Sequence, residues 1–211
     1  MIKYDNVFID LDGPILEGKE RHYACYKDIV TEMNGVVIPL EKYWNLKRQR
    51  KNHYILQELS QLGNSTDLFM NCWLTRIEEK KYLQLDELKP HIKEALEKIR
   101  LFADRVVLVT MRQNKENLFW QLESLGLLPF FDEILVCEGT DKYSKAETIK
   151  KYCREINLFV GDTEVDVFTA DTLNIDFVGI NNGLRNSTIF VGRHSVNELI
   201  EYVRENNANG E

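Results

Sequence analysis

Residues 7–16 read VFIDLDGPIL, placing two aspartates, Asp10 and Asp12, one residue apart at the end of an apolar run. In extended chain, residues i and i+2 point to the same side, so both carboxylates enter one space. Asp162, with Asp166 four residues on, closes a second apolar run in NLFVGDTEVD. Thr110 ends a third run, VVLVT, and Lys145 stands in SKAE, the start of a helical pattern. Two like charges ~4 Å apart repel by about 4 kcal/mol at an effective dielectric of about 20. Three carboxylates in one cleft therefore need a cation, or a proton on one of them. An all-oxygen donor set favours Mg²⁺ over zinc or copper. A strand followed by a turn would explain DLDG alone. It does not explain why GDTEVD closes another strand, with Thr110 and Lys145 in between.

Positioning these groups requires a scaffold that brings several strand ends to one edge. Five short apolar runs, Val7–Asp10, Val106–Thr110, Glu133–Cys137, Leu158–Gly161 and Phe177–Ile180, are rich in Val, Ile and Phe and too short for helices. From Lys93 onward they alternate with helical patterns: Leu96 and Ile99, then Leu118, Leu122 and Leu125 stopping at Gly126, then a helix carrying Ile149 and Tyr152 inward. Ser144 is read as the N-cap of that last helix, with Glu147 completing a capping box. The alternation predicts an α/β fold, a Rossmann-like parallel sheet with helices on both faces. Ligands of such sheets bind beyond the carboxyl ends of the strands, where the aspartates and the threonine fall. Residues 17–87 differ in showing helical patterns and no convincing strand, one pattern being Tyr26, Ile29, Val30 and Met33 closed by Gly35. The expected organisation is an α/β core of residues 1–16 and 88–211 and a small all-helical cap of residues 17–87 inserted after the first strand.

Bulk properties narrow the function. The chain has 211 residues and a net charge of −7, which argues against a general nucleic-acid binder. No stretch approaches the ~20 apolar residues of a membrane span. The N-terminus does not resemble a secretory signal, and Cys25, Cys72, Cys137 and Cys153 form no Cys-x-x-Cys pair, so reduced thiols and a cytoplasmic location are expected. The Asn-Ser-Thr triplets at Asn64 and Asn186 carry no weight without such a signal. The polar tail Glu205–Glu211 is expected to fray.

Taken in order, FIDLDG, VLVT, SKAETI and VGDTEVD resemble the four motifs of the haloacid dehalogenase superfamily. The helical insert resembles the cap of its phosphoglycolate-phosphatase-like branch. The resemblance covers about Ile2–Leu16 and Leu88–Tyr202. It implies that Asp10 is a nucleophile forming an aspartyl phosphate. Asp12 becomes the general acid and then the general base. Mg²⁺ is held by Asp10, the carbonyl of Asp12 and Asp162, with Asp166 supporting it directly or through water. Thr110 and Lys145 meet the phosphoryl group. Dehalogenases of the superfamily lack the second aspartate, so Asp12 favours phosphoryl transfer over carbon–halogen cleavage. Three departures are visible: Pro14 where Thr is frequent, Asn174 where Gly is common, and Lys142 competing with Lys145 for the third motif.

The resemblance implies a phosphatase for a small phosphorylated metabolite; a monomer or homodimer is expected, and charge and hydropathy predict neither nucleic acid nor membrane as a partner. Met111 and Arg112, just after Thr110, are expected at the substrate together with Thr110, and Asn114 borders the same loop. In the insert, YWNLKRQRKNHY sets Lys47, Arg48, Arg50, Lys51 and His53 in a basic cluster, with Trp44, Lys47, Lys51 and Tyr54 on one side at helical spacing. Lys47 and Arg48 are the candidates for a second anionic group of the substrate, against a solvated helix face as the plainer reading. His22 is read as a surface or partly buried histidine. Two alternatives keep the fold: a phosphomutase passing the phosphoryl group to a sugar, and a silent binding module. A receiver domain is disfavoured, because Asp162 and Asp166 follow the lysine.

Overall fold

The computed structural model describes residues 3–50, 53–63 and 65–208. Within these the elements run β1 (Tyr4–Asp10), β2 (Leu16–Glu17), α1 (Lys19–Glu32), α2 (Leu40–Arg48), α3 (His53–Leu59), α4 (Thr66–Arg76), α5 (Lys80–Leu83), β3 (Glu87–Leu88), α6 (Ile92–Ile99), β4 (Ala103–Thr110), α7 (Lys115–Ser124), β5 (Glu133–Val136), α8 (Ser144–Lys150), β6 (Asn157–Gly161), α9 (Glu164–Leu173), β7 (Asp176–Ile180), β8 (Ser195–Val196) and α10 (Leu199–Ala208). The chain divides into two units, Met1–Glu17 with Leu88–Glu211, and Gly18–Glu87.

The first unit is built on a six-stranded sheet in the order β5-β4-β1-β6-β7-β8, parallel throughout. Alternation along β1 shows why it lies in the middle. Val7 and Ile9 join one apolar cluster with Val106, Leu108, Leu158 and Val160, while Phe8 joins another with Val107, Val109 and Phe159. Both faces of the strand are thus buried, which a continuous Val/Ile/Phe run permits and an alternating strand would not. Helices α6, α7 and α10 supply the first cluster through Leu96, Leu118 and Val203. Helices α8 and α9 supply the second through Ile149 and Ala170. The α/β layering expected from the sequence is the one found. β1 lies between β4 and β6, which follow it in sequence in opposite directions across the sheet, so the strand order reverses there. Such a switch point opens a crevice at the carboxyl ends.

The second unit is helical with its own core. Tyr26 and Tyr43 stack with centroids 4.5 Å apart, and the Tyr26 hydroxyl lies 2.7 Å from Ser60 Oγ and accepts the Ile38 N–H at 3.1 Å. Arg21 and Asp86 form a buried ion pair, Nε to Oδ1 3.0 Å. Gly35 is required by space: a Cβ there would meet Ser60 O at 2.7 Å and Leu62 Cδ2 at 2.5 Å.

Three local expectations need correction. Helix α1 ends at Glu32, and the left-handed residue beyond it is Asn34 (φ 56°), not Gly35. Ser144 is the first residue of α8, not its cap. Asp141 Oδ1 accepts the N–H groups of Tyr143 (2.7 Å) and Ser144 (3.2 Å), doing the capping three residues earlier. The basic stretch of the insert is not one helix. α2 stops at Arg48, Arg50 turns left-handed (φ 53°) and α3 begins at His53, so the shared side drawn from Trp44 to Tyr54 is broken. Lys51 and Asn64 lie outside the described residues, as do residues 209–211 of the tail.

Candidate active site

Three strand ends flanking the switch point carry the candidate residues. Asp10 ends β1 opposite Val109, Thr110 ends β4, and Asp162 follows the last residue of β6. Parallel register makes these ends neighbours, so residues about 100 to 150 positions apart converge without any special loop. Asp10, Asp162 and Asp166 each offer an oxygen within 4.8 Å of the others, and all three are buried. Asp166 enters the cluster because α9 starts with a capping box: Thr163 and Asp166 cap each other's backbone. Its Oδ2 accepts the N–H groups of Asp162 (2.9 Å) and Thr163 (2.8 Å) and the Thr163 hydroxyl (2.8 Å).

Lys145, from the first turn of α8, places Nζ 2.8 Å from Asp10 Oδ2 and 2.6 Å from Asp166 Oδ1. Lys142, its competitor in sequence, lies instead over the rings of Tyr143 and Phe168, 4.9 Å from each centroid. One ammonium thus touches two carboxylates of a buried cluster of three. Burial pushes Asp10 up to about 7; Lys145 opposes this, and the charges of Asp166 and Asp12 add to it. Asp162 is held well above the ordinary carboxylate range by burial first and then by Asp166 and Asp10. Burial alone would lower Lys145, but Asp10 and Asp166 raise it, keeping it charged. The site therefore has surplus negative charge.

A divalent cation fits that surplus. Among the described residues, Asp162 Oδ1 is buried without a hydrogen-bond partner, while Oδ2 accepts the Leu184 N–H. An orphaned carboxylate oxygen at this depth is costly unless something positive meets it. Gly13 and Gly183 leave the room: a Cβ on either would stand 2.1 Å from Asp162 Oδ2. Gly13 also takes φ +106°, a turn only glycine makes without strain.

Asp12 and Arg112 form a two-pronged pair, Nε to Oδ2 2.7 Å and Nη2 to Oδ1 2.7 Å. Thr110 is buried, and its hydroxyl accepts the Arg112 N–H at 3.3 Å. Met111 is half-buried against the cluster that holds Phe8. Asn114 is the N-cap of α7, its side chain accepting the Asn117 N–H at 3.0 Å. In the second unit Lys47 Nζ lies 4.7 Å from the centroid of Trp73, Arg48 is half-buried, and His22 packs edge-on to Trp44. Sequence reasoning missed the Asp12–Arg112 fork and the capping role of Asp166. The signals were present: Arg112 stands two residues past a strand end, as Asp12 does, and Thr163 and Asp166 have capping-box spacing.

The family model for haloacid dehalogenase-like hydrolases matches residues 7–180. The chain belongs to that family. A haloacid dehalogenase-like family hydrolase from Streptococcus pneumoniae superposes with a TM-score of 0.77 at 16% identity, over 96% of this chain and 98% of that one. A structure described as a "predicted phosphatase" from Clostridium acetobutylicum gives 0.71 at 16%, over 98% and 99%. One described as a "predicted phosphoglycolate phosphatase" from Haemophilus somnus gives 0.69 at 15%, over 98% and 99%. At these identities the likeness establishes the fold. No curated protein matches. Among the described residues no helix is long and apolar enough to cross a membrane.

Proposed function

We propose that the chain is a Mg²⁺-dependent phosphatase of small phosphomonoesters, working through a phosphoryl group carried on Asp10. The observation that supports this most is the buried cluster of Asp10, Lys145, Asp162 and Asp166, which holds three carboxylates to one ammonium at the carboxyl edge of the sheet. Asp10 and Asp162 would hold Mg²⁺, with the carbonyl of Asp12; bound there, it neutralises the repulsion between carboxylate and phosphate. Asp166, whose oxygens already meet Lys145 and three donors, orients Lys145 and supports the ligands.

In the first half, an Asp10 oxygen forms a bond to phosphorus as the bond to the ester oxygen breaks. Asp12 gives its proton to the departing alkoxide. In the second half, water forms a bond to phosphorus, the acyl phosphate bond breaks, and Asp12 takes the proton from water. The sum is ester plus water giving alcohol plus phosphate. Lys145 and the Thr110 hydroxyl meet charge on the transferred group. The helical unit is the cap that selects the alcohol, with Lys47 and Arg48 as its candidates for a second anionic group. The fold likeness to structures described as phosphatases, one of them of phosphoglycolate, agrees with this branch of the family.

The test is phosphate release from a panel of phosphoglycolate, sugar phosphates, nucleoside monophosphates and 4-nitrophenyl phosphate, with Mg²⁺ and with chelator. Turnover that needs the metal and drops at least ~10³-fold in Asp10→Asn is expected, given what nucleophile removal costs elsewhere. Metal-independent turnover, or turnover that survives Asp10→Asn, would overturn the reading. Phosphoenzyme that decays only when an acceptor sugar is added would replace it with a mutase.

A further inference from the structure

The pair between Asp12 and Arg112 is asymmetric in exposure. The Arg112 side chain is 5% exposed and that of Asp12 31%. A guanidinium is buried only against a partner, since the desolvation of an unpaired cation is prohibitive. Here both prongs of the fork, Nε and Nη2, lie 2.7 Å from the two oxygens of one carboxylate. The topology makes this reach natural. β1 and β4 are adjacent and parallel, so the residues just past Asp10 and just past Thr110 run side by side. The Arg112 N–H also donates to Thr110 Oγ1, which fixes the turn from which the side chain starts.

From this we infer that Arg112 is a positioning residue for Asp12, setting the orientation of the carboxylate that moves the proton. The inference rests on the phosphatase reading above. A single-bonded carboxylate can rotate about its Cβ–Cγ bond. One gripped at both oxygens has its plane and its outward lone pairs fixed, because each oxygen keeps a second lone pair after accepting one N–H. The exposed edge of Asp12 then faces outward for the leaving oxygen or the attacking water, and Arg112 acts from behind it. Lysine cannot replace such a fork, since it offers a point charge without the planar pair of donors.

The consequence is a loss in two proton transfers, to the leaving oxygen in the first half and from water in the second. An alkyl phosphate needs a proton on its departing oxygen, while 4-nitrophenolate leaves without one. The experiment compares Arg112→Ala, Asp12→Ala and the double variant on 4-nitrophenyl phosphate and on the best alkyl phosphate of the panel. Arg112→Ala is expected to lower kcat/KM on the alkyl ester, which reports the steps through phosphoryl transfer to Asp10, by about 10²-fold, the low end of acid–base contributions. The loss in kcat/KM on the aryl ester should be at least about tenfold smaller, while kcat falls on both esters wherever the second half limits turnover, because Asp12 is the base there. In the Asp12→Ala background, Arg112→Ala should cost less than about threefold, since groups that act as a unit are not additive. Arg112→Lys should fall between wild type and Arg112→Ala, and it carries the same comparison should Ala not fold. Equal losses in kcat/KM on both esters, a raised KM with kcat intact, or additivity with Asp12→Ala would overturn the inference. A crystal structure of Arg112→Ala gives a readout independent of turnover: Asp12 held in its present orientation without Arg112 would also overturn it. Failure of the phosphatase reading looks different, because wild type itself would then turn over neither ester in an Asp10-dependent way.

Discussion

At the scale of single residues, the chain concentrates unusual electrostatics in one place. Asp10 is pushed up to about 7, chiefly by burial, against an ordinary carboxylate value of 3.8. A folded state that holds a proton more tightly than the unfolded chain draws stability from it. That contribution is complete below about 3.8 and is lost as pH rises through about 7. In chelator, wild type should therefore lose melting temperature relative to Asp10→Asn between pH 4 and pH 8, measured by scanning calorimetry. Added Mg²⁺ should shrink the difference, because a bound cation favours the ionised carboxylate. Parallel curves for the two proteins in chelator would count against the charge surplus. The aspartates, Thr110 and Lys145 were legible in sequence because each closes or opens an element at a fixed offset. Arg112 was legible only as a neighbour of the site. That it grips Asp12, 100 positions away, depends on strand register, which no local pattern carries.

Elements, in turn, decide how well those residues are held. Asp162 sits between two glycines, one in the turn after β1 and the other, Gly183, in the loop after β7. Gly183 has no positive φ, so its need for glycine is one of space alone. Gly183→Ala should displace the Asp162 carboxylate and weaken Mg²⁺ binding by about 10- to 100-fold, as changes behind metal ligands commonly do. Titration calorimetry would measure this, with far-UV circular dichroism unchanged; undiminished binding would show that the loop yields. The strands could be read from sequence because continuous apolar runs leave few alternatives. Helix ends were read less well. The stop of α2 at Arg48 and the left-handed turn at Arg50 have no glycine or proline to announce them, and the cap of α8 comes from Asp141 through an Asx-type contact, not from the more familiar serine. In both cases a locally plausible choice lost to one that tertiary packing favours.

The whole molecule joins two units with separate apolar cores, one around the sheet and one around Tyr26 and Tyr43. The chain leaves the first unit at β2 and returns at β3, and these two-residue strands pair with each other. Joining Glu17 to Leu88 through a short Gly/Ser link should therefore give a core that melts cooperatively and is stabilised by Mg²⁺. A product without a melting transition would show that the sheet unit needs its insert to fold. In the sequence, alternating strands and helical patterns begin at Lys93, while residues 17–87 show helical patterns alone.

The central place of β1 has a temporal side as well. Its Asn6 side chain bonds a residue 151 positions later, and Asp12 meets a partner 100 positions later. At about 5–20 residues per second of synthesis, β1 leaves the ribosome many seconds before either neighbouring strand exists, while the helical insert behind it can already collapse. During that interval the apolar segment VFIDL has neither of the two strands it pairs with in the folded sheet. The strand that ends in the candidate aspartates is thus also the one whose two edges wait longest for a neighbour during synthesis.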